Sequence, residues 1–505
     1  MAPSLLRFTI TLLMSTAMAR SDDEQMYAQG AAFRNRYLCR SGYDEYVGIV
    51  GIDPEHINTA QLRVESSTDP CSSASALAFM QGLYPPNPHV ACDSDVPHHH
   101  WLPNGSILNY PLNGYQYPNI RTLAPDRDPD SIWSHGHVHC SKHEGSIAMF
   151  ADDSMVDSIY QGSKAFYSSL WDKVFSRAFP RSQTNFYNAH ELYDYAAYHW
   201  NHGNGTSSAI TSDDLEALRH LAWEEQSLKY GQSDSGHKDP SAAIAGRTLA
   251  SRVASIFVEN MESRGERNKL SLAFTTHEPF LSFFALTNLT TGPSGHLFSQ
   301  LPNPGATLTF ELFSVDEPAG SNDAGLPKAD AHYRDDHCSK TSQCYNRRAR
   351  CESCETGAMP TCDARNTSAS NHSQPFPSQT FTNRDNRTIT PSFPDLDHLY
   401  VRCLYQNPDR YNDSIKTGNS TRELTPCPLF DSKHGAVPFK HFKAIVSSIG
   451  IPDTASWCSA CESGDTVFFC KGAEPRTEKQ HHHMLAALAG SAGTLLAVSL
   501  IGFLE

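Results

Sequence analysis

The chain has little positive charge to spare: 40 Lys and Arg stand against 55 Asp and Glu in 505 residues, a net charge of −15 at neutral pH. That shortage argues against nucleic acid or an anionic membrane surface as the main partner, because counterion release needs clustered Lys and Arg. It also requires any site for an anionic substrate to be locally positive against the overall balance. No internal repeat is found, so the length is not accounted for by a repeated module. What is present is a core: 39% hydrophobic and 10% aromatic residues exclude global disorder. The length exceeds what one core usually serves, so one large domain with insertions, or two domains, is expected.

The 14 cysteines, an even number spread along the chain, point to disulfides in an oxidising compartment. Both ends suit that address. Residues 1–19 carry Arg7, an apolar run from Phe8 to Met14, and Ala17-Met18-Ala19, the pattern of a cleavable signal peptide. The alternative for the same run is a buried first strand. Residues 484–504 hold no charge and are long enough to span a bilayer, with only Glu505 beyond. Gly472-Ala473, a polar spacer from Glu474 to His483 and an apolar tail have the layout of a GPI-attachment signal, although Glu474 is a poor third site residue. A single-pass helix is the alternative anchor. Sequons at Asn104, Asn204, Asn288, Asn366, Asn371, Asn386, Asn412 and Asn419 agree with glycosylation. The expectation is a secretory-pathway protein, extracellular or at the cell surface, held to the membrane through its C-terminal segment or a GPI anchor.

Periodicity predicts an α/β fold: a mixed sheet flanked by helices, with a mainly helical subdomain and a Cys-rich insertion. Residues 22–39, 74–83 and 244–261 read as helices, and 155–228 as a helical stretch interrupted near Gly203 and Gly205. Its core candidates are Trp171, Phe175, Leu192, Tyr195, Leu215, Leu218 and Trp223. Residues 47–52 and 270–274 read as strands, and 307–313 with 399–405 as a strand pair. Between the last two lies a polar segment, 315–395, holding Cys338, Cys344, Cys351, Cys354 and Cys362. The expected organisation is therefore 1–19 leader, 20–314 and 396–470 the two parts of one domain, 315–395 an insertion, and 484–504 the apolar tail.

The most informative stretch is residues 269–289, KLSLAFTTHEPFLSFFALTNL. An apolar strand ends in Thr-Thr-His-Glu, and Pro279 then opens an apolar helix, where its missing N–H is not needed. Ligands of α/β sheets sit off the carboxyl ends of strands, where helix N-termini also offer N–H groups to anions. At such a point His277 can donate to a phosphate oxygen, and Glu278 can protonate a leaving alkoxide. Taken alone, the segment also reads as a glutamate satisfying first-turn N–H groups beside a partly buried histidine.

This segment resembles the His-Asp signature of the histidine acid phosphatases, and other blocks follow in that family's order. DDEQMYAQGAAFRNRYL (22–38) resembles the helix after the catalytic loop. RVESSTDPCSSASALAFMQGLYPP (63–86) resembles the Ser-Thr-Asp block and its helix. Residues 117–140 and 244–261, the two later strands and Cys427-Pro428-Leu429 fall in place as well. The resemblance covers about residues 22–313 and 396–470. It implies a two-step phosphomonoester hydrolysis without a cofactor or metal. A histidine in an Arg-His-Gly-x-Arg-x-Pro loop attacks phosphorus, arginines hold the phosphate, and the acid of the His-Asp pair protonates the leaving group. Carried onto this chain, Glu278 is the catalytic acid, and His277 and Arg63 are the remaining phosphate-binding residues.

The sequence departs from the family where the chemistry is concentrated. Arg-His-Gly occurs nowhere, and Ser15-Thr16-Ala17 stands where the loop would fall if residues 8–20 are a decayed first strand and loop. Cys71 and Ser72 stand where an arginine should follow Asp69, and Glu278 replaces the usual aspartate. Loss of a nucleophile alone costs on the order of a millionfold in turnover. Two readings remain: a phosphomonoesterase whose first coding segment is missing from this sequence, and a glycosylated pseudophosphatase with a binding or structural role. The internal loss after Asp69 favours the second. Elsewhere, His98-His99-His100 and the alternating His135, His137 and His139 read as loop histidines rather than a zinc set, and Cys351-x-x-Cys354 as disulfide partners.

Overall fold

The computed structural model describes residues 7–14, 20–39, 48–86, 111–202, 210–231, 241–314 except 293, 381–382, 388–389, 393–408, 424–432 and 435–471 except 465. The five insertion cysteines, His98-His99-His100 and residues 484–504 lie outside them. No helix among the described residues is long and apolar enough to cross a membrane. Of the sequon asparagines only Asn288 is described, and it is exposed at the end of a helix.

The core element is an eight-stranded mixed sheet. Its strands are β1 (Arg7–Met14), β2 (Leu62–Ser67), β3 (Ile120–Leu123), β4 (Leu270–Thr275), β5 (Thr307–Ser314), β6 (Leu399–Gln406), β7 (Thr425–Pro426) and β8 (Ala436–Pro438). They run in the order β8-β6-β5-β1-β4-β2-β3, with β7 also on β6. β1, β4, β2 and β3 are mutually parallel, so their carboxyl ends share one edge. β5, β6, β7 and β8 complete the sheet in antiparallel pairs. The expected pair 307–313 with 399–405 is present, with Thr307 opposite Gln406 and Ser314 opposite Leu399.

The segment read as a leader, with a buried first strand as its alternative, contains β1. Arg7–Met14 is the strand between β4 and β5, pairing Thr9 to Leu270 and Met14 to Thr275 on one side and Arg7 to Phe313 on the other. A short apolar run suits a leader's core and a buried strand equally well, and only pairing partners distant in sequence separate the two. The expected strand 47–52 also differs: residues 48–52 form a turn, with Gly51 at φ +69°.

Helices α1 (Arg20–Phe33) and α2 (Pro70–Leu83) cover one face of the sheet. There Met26, Phe33, Phe79 and Leu83 bury against Val64, Leu272 and Phe274. α2 starts where Asp69 accepts from Ser72 N at 2.8 Å and Pro70 takes the first position. α1 and α2 cross at backbone contact: a Cβ on Gly30 would lie 2.0 Å from Phe79 O, and one on Gly82 would lie 2.0 Å from Tyr27 O. Gly82→Ala should therefore cost about 1–3 kcal/mol, since neither backbone can give way alone. Urea unfolding of the variant within about 0.5 kcal/mol of the parent would show that the crossing can open.

The other face is covered by a long helix, Ile244–Glu262, and by Phe439–Ile449. Leu249, Val253 and Phe257 of the first and Phe442 and Val446 of the second meet Phe310, Leu312 and Val401 of the sheet. The helical subdomain has its own core, in which Phe175, Leu192, Leu215 and Leu218 are buried and Trp171, Tyr195 and Trp223 pack at its edge. A further cluster around Trp457 is fastened by disulfides Cys140–Cys461 and Cys458–Cys470.

Candidate functional site

Three strand ends deliver the candidate residues to one edge. β4 ends at Thr275, His277 is the residue before the helix Glu278–Leu286, and Pro279 lies in its first turn. β2 ends at Ser67, followed by Asp69 and α2. β1 ends at Met14, beside Thr275 in register, and residues 15–19, outside the described residues, join it to α1. That connection reads Ser-Thr-Ala-Met-Ala.

His277 is 5% exposed. Its Nε2 lies 2.8 Å from Gln226 Oε1, and Gln226 Nε2 in turn donates to Glu225 Oε2 at 3.0 Å. The amide is thereby oriented with its oxygen toward the ring, so Nε2 carries the proton and Nδ1 is the free lone pair. Nδ1 faces Glu278 Oε2 at 4.0 Å, beyond hydrogen-bond reach. On the other side His137 Nε2 lies 4.0 Å from Glu278 Oε1. Glu278 Oε2 and His137 Nδ1 are both buried without a hydrogen-bond partner. The ring of His190 lies against His277 at 4.6 Å, and Tyr230 against His137 at 5.2 Å. Thr275 Oγ1 donates to Ser134 O at 2.7 Å, 3.5 Å from His135 Nε2.

The electrostatics follow from burial. Desolvation lowers His135, His137 and His277 from the ordinary histidine value to about 4, so all three are neutral at pH 7. Burial pushes the Glu278 carboxyl up, while attraction to His277 and His137, which acts only once those rings are protonated, and hydrogen bonds from the Thr276 hydroxyl and a backbone N–H pull it down, below the usual carboxylate range. The edge presents neutral imidazoles around one carboxylate, an arrangement of acceptors that does not favour a phosphate dianion.

The cations expected to help are elsewhere. Arg63 pairs in register with Ser271, four residues before the end of β4 and thus about 13 Å back along the strand. It binds Glu65 through Nε at 2.8 Å and approaches Glu259 at 3.7 Å. With Glu65, Trp133, Arg252 and Ser271 it lines a pocket under the helix Ile244–Glu262. Strand alternation also turns it to the face opposite Leu62 and Val64, so its place in the Ser-Thr-Asp block did not imply a place at the site. At the position of the missing arginine, Ser72 is fully buried in the first turn of α2. On the neighbouring helix Ser212–Tyr230, Lys229 is paired with Glu225, and Arg219 donates to Leu301 O at 2.9 Å.

Sequence reasoning brought His277 and Glu278 together and missed what surrounds them. His135 and His137 carried a signal in their alternation, but they lie in a helical turn (Ile132–His135) and the turn after it, not on a strand face. His139 is exposed at φ 60°. Gln226, His190 and Tyr230 had none, being ordinary residues of helical stretches. No group of three or more His, Cys, Asp or Glu among the described residues is arranged to hold a metal ion.

Compared with known proteins, the chain matches no family model and no curated protein. It is similar to solved structures at low identity. The phytase from Citrobacter braakii is 10% identical, with 89% of this chain and 99% of that chain covered and a TM-score of 0.45. Hafnia alvei phytase in complex with myo-inositol hexakis sulphate is 11% identical, with 90% and 98% covered and a TM-score of 0.46. The multiple inositol polyphosphate phosphatase of Bifidobacterium longum, in complex with phosphate, is 12% identical, with 63% and 84% covered and a TM-score of 0.33.

Proposed function

We propose that this chain is a pseudophosphatase of the histidine acid phosphatase type, a protein that keeps the scaffold of a phosphomonoesterase without its chemistry. The observation that carries the reading is the connection between β1 and α1. It follows Met14, which pairs with Thr275 two residues before His277, in the stretch where the family's attacking histidine and arginines would be read, and its sequence is only Ser15, Thr16, Ala17, Met18 and Ala19. The neutral imidazoles and the remoteness of Arg63 support the same conclusion.

The role left to such a protein is binding or structural. An extracytoplasmic address is part of the proposal, supported by Cys140–Cys461 and Cys458–Cys470, since disulfides persist in oxidising compartments. Purified protein should hydrolyse neither p-nitrophenyl phosphate nor inositol hexakisphosphate above background between pH 4 and 7.5, and His277→Ala should change nothing. Turnover that His277→Ala abolishes would overturn the proposal and restore a phosphomonoesterase.

A further inference from the structure

Two cysteines that the described disulfides do not use face each other in the sheet. Cys403 lies in β6, and Cys427 follows β7 directly. Leu404 opposes Pro426 and Tyr405 opposes Thr425, which places Cys427 opposite Cys403 in the same antiparallel register. The backbone agrees, with Cys427 N donating to Cys403 O at 2.9 Å. Directly opposed residues in such a pair have Cα atoms about 4.5–5.5 Å apart, within the span a disulfide bridges. Both side chains are fully buried, and their sulfurs are 2.9 Å apart. Buried cysteines usually sit as isolated small apolar groups, whereas these two point at one another.

We infer that Cys403 and Cys427 are joined in a further disulfide, formed before the core closes over them. Each thiol gives up its proton and the pair gives up two electrons. The acceptor is the disulfide of a thiol–disulfide oxidoreductase or of oxidised glutathione, which leaves as two thiols. The timing follows from the surroundings. Burial raises the Cys403 thiol far above its ordinary range, with Cys427 and Glu311 adding to the effect, so the thiolate needed for exchange is scarce once the chain is folded. The link closes the loop between β6 and β7, which carries the Asn412 and Asn419 sequons, and fastens Cys427-Pro428-Leu429 to the sheet.

The test is peptide mapping of the full chain made in an oxidising compartment, denatured in an alkylating reagent without reductant. The expected result is one cross-linked species containing Cys403 and Cys427, lighter than the two thiol peptides by two hydrogens and separated by reduction. The native protein should keep that link in a mild reductant that cannot reach the core. Alkylated Cys403 and Cys427 in a sample where Cys140 and Cys461 are linked would overturn the inference. Either cysteine bonded to a different partner, or no link at any of the three pairs, would overturn it as well.

Discussion

Removing residues 1–19 should leave a chain that does not fold. Deletion takes out β1, which is paired to β4 over Thr9–Leu270 through Met14–Thr275 and to β5 over Arg7–Phe313 through Leu13–Thr307. Both neighbours would become open edges in the middle of the molecule, each a row of unpaired backbone groups that costs free energy when buried. Domain stability is only about 5–15 kcal/mol, less than the loss of one central strand. The parallel half and the antiparallel half of the sheet would no longer be continuous. The comparison is between the full chain and one starting at Arg20, from the same host, by thermal unfolding and limited proteolysis. Sequencing the N-terminus of the mature protein should also find Arg7–Met14 retained. A cooperative melt from the shortened chain would sink this account and return the segment to the role of a leader.

Acid should destabilise the protein well before carboxylates are protonated. His135, His137 and His277 are lowered by burial to about 4, against an ordinary value near 6.5 in the unfolded chain. Between those limits the unfolded state binds more protons, so the stability these groups contribute is full above pH 6.5 and is lost as pH falls toward 4. Each shift corresponds to about 3 kcal/mol, and three together are on the order of the whole stability of a domain. Glu278 opposes part of this loss, because its lowered carboxyl keeps its charge through the same interval and attracts the imidazolium that forms. Asp69 acts on His135 in the same direction. Urea midpoints should therefore fall steeply from pH 6.5 to 4, and His137→Asn should flatten the slope by about one proton. A midpoint constant over that interval would mean that the histidines are hydrated in solution.

Much of the framework was legible because it is local. The strand into His277 and Glu278 shows as an alternating apolar run closed by a proline-started helix. The helices of 155–228 show as apolar stripes, whose central members are buried as expected. The pair β5 and β6 was legible despite the separation, because both runs carry apolar residues at alternate positions, Leu308, Phe310 and Leu312 in one and Leu399, Val401 and Cys403 in the other, which meet in the core. What failed depends on distant partners. β1 was ambiguous until Leu270 and Phe313 stood beside it. Arg63 was assigned from its place in the Ser-Thr-Asp block, yet it pairs with Ser271, four residues and about 13 Å before the end of β4. The approach of His137 to Glu278 joins residues with no shared element, and Gln226 orients His277 from a helix whose pattern advertises only its apolar side.

The junction between β5 and β6 has a consequence of its own. Ser314 and Leu399 are opposite one another at the same end of two paired strands, so the sheet closes across that point whatever chain joins them. In general, lengthening a connection between paired strands costs little, about 0.6 kcal/mol for each doubling of a loop. Pairing of the two strands therefore sets little limit on the length of the segment between Ser314 and Phe393, the latter packed against the core. Such a position is a graft site, where new sequence can be acquired, lost or rewritten while the sheet remains unaware of it. That is where novelty can accumulate at least risk to folding.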